Sequence, residues 1–195
     1  MILTTKEKRV LRFLATSLQD FSINDLAKAC KLAPSGAHKV LKKLEKEGVV
    51  KAKSIANILS YKLDFRGDNT ESVLHMAFVP EKLEGLMKLR AQDLKPLKES
   101  TQACIIFGSY TTEKQNPSDF DVLFVFEKAN FELYKQTLAK AKDIIPIKVQ
   151  DVIQTTYDLV QNLKKGDPVI IGVLRNGVVL WGFDVLVQVI KNASQ

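Results

Sequence analysis

Two apolar runs separated by a short polar stretch constrain this chain more than anything else in it. The first, Ala103-Cys104-Ile105-Ile106-Phe107, ends in Gly108-Ser109. The second opens with Ser118-Asp119-Phe120-Asp121 and continues Val122-Leu123-Phe124-Val125-Phe126. Short continuous runs of β-branched and aromatic residues read as strands buried on both faces. Side chains two apart on a strand share a face, so Asp119 and Asp121 project side by side at the mouth of a strand that is otherwise core. Carboxylates that close repel each other unless a cation shares them. Mg²⁺ takes one or two carboxylates and completes its shell with waters and substrate phosphates. Gly108 lets backbone come close to a phosphate, and Ser109 offers a hydroxyl or its N–H. The loop between the runs, 111–117, contains Lys114, which reads either as a phosphate contact or as a solvated loop lysine.

The order downstream is a helix over 130–142, a strand over 144–153 and a helix over 155–164. The stretch 167–177 then leads to Val178-Val179-Leu180-Trp181-Gly182 and a last helix. With Gly108-Ser109 followed by Ser118-Asp119-Phe120-Asp121, this half resembles the nucleotidyltransferase superfamily, most of all its minimal stand-alone members. The resemblance implies a mixed sheet with helices on one face and the active site on the other. It implies Asp119 and Asp121 as metal ligands and catalytic carboxylates, and Gly108, Ser109 and Ser118 as nucleotide contacts. The cofactors it implies are Mg²⁺ or Mn²⁺ and a nucleoside triphosphate, with ATP expected. The reaction it implies is transfer of a nucleoside monophosphate to an acceptor that the residues do not name.

Two departures from that pattern stand out. Active members carry a third carboxylate on a later strand, and Asp151 is the candidate here. Yet Ile147 and Val149 read as core-facing, which turns Lys148 and Gln150 toward the site and Asp151 away, unless a bulge shifts the register. Gln150 then stands where the carboxylate belongs. The residues after Tyr110 are Thr111-Thr112-Glu113-Lys114, where many members have Ala-Arg-Gly.

The first third of the chain is of another kind. Fourteen basic against six acidic residues leave +8 over residues 1–66, whereas fifteen against sixteen leave −1 over the rest. A basic module beside a near-neutral one suits a polyanionic partner, most simply nucleic acid. Thr4 with Glu7 makes a capping box before Val10, Leu11, Phe13 and Leu14. Ser22 and Asp25 repeat that signal before Ile23, Leu26, Ala27 and Cys30. Pro34 opens a third helix with Ala37, Val40, Leu41 and Leu44 on one stripe, and Gly48 stops it. Two β-prone runs, 49–50 and 58–63, follow, joined by a small polar stretch over 51–57. Three helices and a hairpin make a winged helix-turn-helix. Residues 4–64 resemble the broad family of small prokaryotic winged-helix regulators. The exposed face of the third helix would enter a major groove. Ser35, His38 and Lys39 are the candidates there for base edges, and Lys42 and Lys43 for phosphates. Lys51 and Lys53 at the start of the wing are further backbone candidates.

The fold class expected is a two-domain α/β (α+β) chain. Residues 1–66 form the winged helix-turn-helix, 67–100 connecting helices, and 101–195 the nucleotidyltransferase-like sheet. In the connecting stretch Ser72, Val73, Met76 and Ala77 form one stripe, and Leu83, Leu86, Met87, Leu89 and Leu94 another, expected to pack the modules together. His75 is expected to be structural or exposed, and Cys30 and Cys104 to be buried thiols. No apolar run approaches the roughly 18 residues of a membrane span, and the start of the chain turns charged at Lys6, so a cytoplasmic location is expected. Three functional readings stay open. The chain is a transferase, or a transcriptional regulator whose degenerate second domain senses a nucleotide or mediates dimers, or its basic module docks a partner protein. Double-stranded DNA, a nucleotide, an unnamed acceptor or partner protein and a second copy in a homodimer are the partners expected.

Overall fold

A computed structural model describes residues 2–55, 57–112 and 118–195 of the chain. They divide into two compact units, 1–78 with 193–195, and 79–192.

The first unit runs α1 (Thr5–Ser17), β1 (Phe21–Ser22), α2 (Ile23–Ala29), α3 (Pro34–Lys46), β2 (Val50–Ile55), β3 (Ile58–Leu63) and α4 (Thr70–Phe78). The Thr4–Glu7 capping box is formed in both directions, and Ser22 caps α2 through the N–H of Asp25. Pro34 occupies the first turn of α3, where its missing N–H costs nothing. At the other end Gly48 adopts φ +71, and the N–H groups of Gly48 and Val49 donate to the carbonyls of Glu45 and Leu44. That paired closure satisfies the last carbonyls of α3 and turns the chain into the wing. Val10, Leu11, Leu14, Leu26, Leu41, Leu44, Tyr61, Leu74 and Phe78 are buried together as its core. The helix α4 packs against α1, with the Arg12 guanidinium 5.0 Å from the centre of the Phe78 ring. Burial pulls the pKa of Arg12 down to about 10.

The three-stranded sheet has the order β1-β3-β2. The hairpin is longer than its sequence suggests. Lys51 to Ile55 are strand rather than connection, because they pair residue for residue with β3, from Lys51↔Lys62 to Ile55↔Ile58. Their polarity reflects a solvated face, not a loop.

The second unit contains α5 (Gly85–Leu94), β4 (Ala103–Phe107), β5 (Asp119–Val125), α6 (Phe131–Ile144), β6 (Lys148–Gln154), α7 (Thr156–Lys164), α8 (Pro168–Asn176), β7 (Val178–Trp181) and α9 (Phe183–Ala193). Its sheet has the order β6-β5-β4-β7, with β5 and β6 parallel and the other pairs antiparallel. One face, carrying Cys104, Ile106, Phe120, Val122 and Phe124, packs on Tyr134, Leu138 and Ala141 of α6 and on Leu94 and Leu97. On the other face Ile105, Leu123, Val125 and Val179 are also fully buried, and α8 packs against β4. The resemblance implied helical cover on one face; here the second face is covered at β4 as well, and among the described residues Asp119, Asp121, Lys148 and Gln150 on it are half-buried or exposed. Met87 and Leu94 join the core, but Leu86 and Leu89 of the same expected stripe are 54% and 45% exposed. Cys30 and Cys104 are buried thiols, as expected. Among the described residues no helix is long and apolar enough to cross a membrane.

Candidate functional site

The acid pair lies where β5 begins. Phe107 is the register partner of Asp121, so the chain leaves β4 beside that carboxylate and turns at Gly108. Gly108 has φ +69, and a Cβ there would collide with Asp121 Oδ2. Backbone conformation and neighbour both require glycine. The next residues form a 3-10 turn, Gly108–Thr111. Thr111 Oγ1 donates to the carbonyl of Gly108 at 2.9 Å, and Thr112 Oγ1 to that of Ser109 at 2.8 Å. The Tyr110 ring anchors the turn on Phe120, 4.7 Å between centroids. Among the described residues Ser109 Oγ is buried and finds no hydrogen-bond partner. A hydroxyl left this way costs about 1–3 kcal/mol until an acceptor arrives.

Asp119 Oδ2 accepts from Gln150 Nε2 at 2.7 Å, and Ser118 Oγ lies 3.3 Å from Asp119 Oδ1. Asp119↔Lys148 and Asp121↔Gln150 are register partners across β5 and β6, so all four side chains share the open face. Burial, and then the charge of Asp119, raise the pKa of Asp121 above the ordinary carboxylate value. Among the described residues no group of three or more His, Cys, Asp and Glu is placed to hold a metal. Two carboxylates beside a glycine turn nonetheless suit Mg²⁺, which keeps waters and takes phosphate oxygens for the rest of its shell.

Asp151 is not brought to this pair. The parallel register runs unbroken from Asp119↔Lys148 to Val125↔Gln154, so no bulge rescues it, and Asp151 faces the other way beside Val122. There the hydroxyl of Tyr134 and Nζ of Lys142 each donate to it at 2.8 Å. Burial would raise its pKa, but those two hydrogen bonds outweigh burial and hold it low. The sequence turned Gln150 toward the site, where the third carboxylate belongs, and its amide is there, opposite Asp121 and bonded to Asp119. Lys114 lies outside the described residues.

In the first unit Ser35, His38, Lys39 and Lys42 are exposed along α3. Lys46, which the sequence reading passed over, is exposed as well. Its spacing of seven from Lys39 was the available signal. Lys42 pairs with Glu45 at 2.8 Å within the helix. Lys43 is committed elsewhere: its Nζ meets Glu7 Oε1 at 2.8 Å, and that carboxylate is only 7% exposed. Burial of Glu7 is opposed by hydrogen bonds from Lys43 and Thr4, and its pKa ends below the usual value. Lys51 lies 3.4 Å from Asp64, whereas Lys53 is exposed on the wing.

Residues 20–51 match the winged helix-turn-helix DNA-binding family, and residues 80–168 match a family of unknown function (DUF6932). No curated protein and no solved structure matches the chain. The first unit, in which α1 to α3 and a capped turn lead into a two-stranded wing, is a winged helix-turn-helix domain. It is of the DNA-binding kind, and it is joined to a mixed-sheet unit within which the second match, to a family of unknown function, falls.

Proposed function

We propose that the chain is a DNA-binding regulator whose second unit binds a magnesium–nucleoside triphosphate, with ATP the expected nucleotide. The observation that carries the nucleotide is the fit of Gly108 against Asp121, beside a buried Ser109 hydroxyl that lacks an acceptor. Asp119 and Asp121 would hold Mg²⁺ (or Mn²⁺), which when bound neutralises phosphate charge. Gly108 and Ser109 position the triphosphate, and a phosphate oxygen gives Ser109 Oγ its missing partner. Ser118 braces Asp119. Gln150 occupies one oxygen of Asp119 and contributes no charge, which favours holding the nucleotide over turning it over. In the first unit Ser35, His38 and Lys39 read base edges, and Lys42, Lys46 and Lys53 neutralise phosphates. Lys43 and Lys51 serve internal ion pairs.

Transfer of the nucleoside monophosphate to an acceptor hydroxyl is the second reading. It is favoured by the turn lying directly against the acid pair, where the phosphates of a bound nucleotide would sit.

Thermal shifts with each triphosphate, with and without Mg²⁺, test both. Ligand at 100 times its Kd adds about 2.7 kcal/mol, seen as roughly 2–4 °C per kcal/mol in a chain this size. The expected result is a Mg²⁺-dependent rise that Asp119→Asn with Asp121→Asn abolishes. No rise with any triphosphate sinks the nucleotide reading. Incorporation of label from an α-labelled triphosphate by the native chain, absent in the double variant, makes it a transferase.

A further inference from the structure

The end of the second sheet remote from the acid pair holds a cavity that the proposed function does not use. Asp119 opens β5 and Val125 closes it, so the two ends lie roughly 20 Å apart at about 3.3 Å per residue. At the far end the N–H of Gln102 donates to the Val125 carbonyl. There β6 ends and Thr155 caps α7, while β7 ends at Trp181 and the chain passes through Gly182 into α9. A Cβ at Gly182 would collide with the Gln102 carbonyl and with Ala103, so α9 starts directly against that strand. Gln102, α7 and α9 line a cavity of about 530 Å³, and its lining residues all belong to the second unit. That volume is the size of a small-molecule site. Val160 of α7 and Val185 and Val189 of α9 give it apolar walls, and Tyr157, 70% exposed, stands at its rim. Of the described residues that line it, Asp184 alone is charged, in a chain with 29 lysines and arginines. Gln102 Nε2 donates to Glu127 Oε1 at 2.8 Å, which fixes the amide. Its Oε1 is left buried without a donor among the described residues.

We propose that this cavity binds a small apolar amine. The apolar body lies among the three valines, out of water. The ammonium answers the Asp184 carboxylate and brings N–H donors of the kind that Gln102 Oε1 lacks. The face of the Tyr157 ring is a further partner for the cation. An anion meets no lysine or arginine among the lining residues and would face Asp184 instead. That separates this site from the acid pair, where a metal draws phosphate, and it makes a nucleotide the wrong occupant.

The test uses the full chain, labelled at its valine methyls and titrated with phenethylamine, phenethyl alcohol and phenylacetate, three probes of one body that differ in charge. A branched aliphatic set, isoamylamine, isoamyl alcohol and isovalerate, repeats it with another body. An amine is expected to move the methyl signals of Val160, Val185 and Val189 with a Kd of about 1 mM or tighter. The matching alcohol should bind about tenfold more weakly, and the carboxylate should leave those signals in place. Asp184→Asn should bring the amine down to the level of the alcohol. Tyr157→Ala should weaken the amine more than the alcohol, and Val185→Phe, which fills the cavity, should abolish both. Unaltered thermal midpoints show that Asp184→Asn and Tyr157→Ala are folded. Asp119→Asn with Asp121→Asn should leave the amine titration as it is, and Asp184→Asn should keep the Mg²⁺–nucleotide shift, so the two sites stand or fall separately. Methyl signals that no probe moves overturn the site. Alcohol or carboxylate binding as tight as the amine, or amine binding that Asp184→Asn leaves unchanged, overturns the ligand class.

Discussion

Asp121 and Asp151 are thirty residues apart in sequence and lie on adjacent strands, yet they experience opposite electrostatics. Asp121 is raised by burial and by Asp119, so the stability it contributes is present below its unfolded pKa and lost as pH rises through its folded value. At neutral pH it destabilises the unliganded fold. Asp121→Asn is therefore expected to raise the midpoint of unliganded protein at pH 7 while abolishing the Mg²⁺–nucleotide shift, a trade of stability for function. Asp151 is lowered by Lys142 and Tyr134 against the effect of burial, so its contribution is present above its unfolded pKa and lost as pH falls through its folded value. Asp151→Asn should destabilise by about 1–2 kcal/mol at neutral pH, flatten the acid limb of the stability curve, and leave nucleotide binding untouched. Calorimetry across pH 3–8 (approximate limits set by the carboxylate range) separates the two. A lower midpoint in Asp121→Asn at pH 7, or loss of nucleotide binding in Asp151→Asn, reverses these assignments.

Among the elements, α3 shows how an exposed lysine row divides its work. Lys39 points to solvent, whereas Lys43 reaches back to the buried Glu7 that caps α1. Lys43→Ala leaves that carboxylate with the Thr4 N–H as its remaining close partner. It should cost the first unit about 1 kcal/mol and only indirectly weaken DNA binding. Lys39→Ala should lower DNA affinity with no change in midpoint. Denaturation and anisotropy on both variants check this, and equal midpoints for the two would refute the role of Lys43. The sequence could not show this division, because Glu7 and Lys43 are 36 residues apart. Local signals were legible: the Thr4 and Ser22 caps, Pro34 and Gly48 at the ends of α3, and the period-two pair on β5. Cross-strand effects were not. Lys51 to Ile55 look like a loop until β3 pairs with them. Residues 168–176 are β-prone in composition, but Asp167 caps them into α8 by accepting from the N–H groups of Val169 and Ile170. Leu86 and Leu89 fit an apolar stripe by spacing, yet the structure leaves both exposed. Parity alone put Gln150, not Asp151, beside the acid pair, and the unbroken register of β5 and β6 agrees.

For the whole molecule, the charge difference between the first third and the remainder sets how the chain meets DNA. With Lys42, Lys46 and Lys53 facing phosphate, log affinity against log salt should have a slope of roughly −3. Anisotropy between low and physiological salt measures it, and a flat response would favour docking of a partner protein over DNA. The second unit, near neutral overall, adds little to that slope, so nucleotide and DNA binding can be read independently on one chain. The amide of Gln150 has one more consequence. A glutamine codon becomes a glutamate codon by a single base change, and at this position the change would turn the donor on Asp119 into a third acid on the same open face. On the function proposed, the separation between holding a nucleotide and being equipped to spend it is, in this chain, one nucleotide of its own gene.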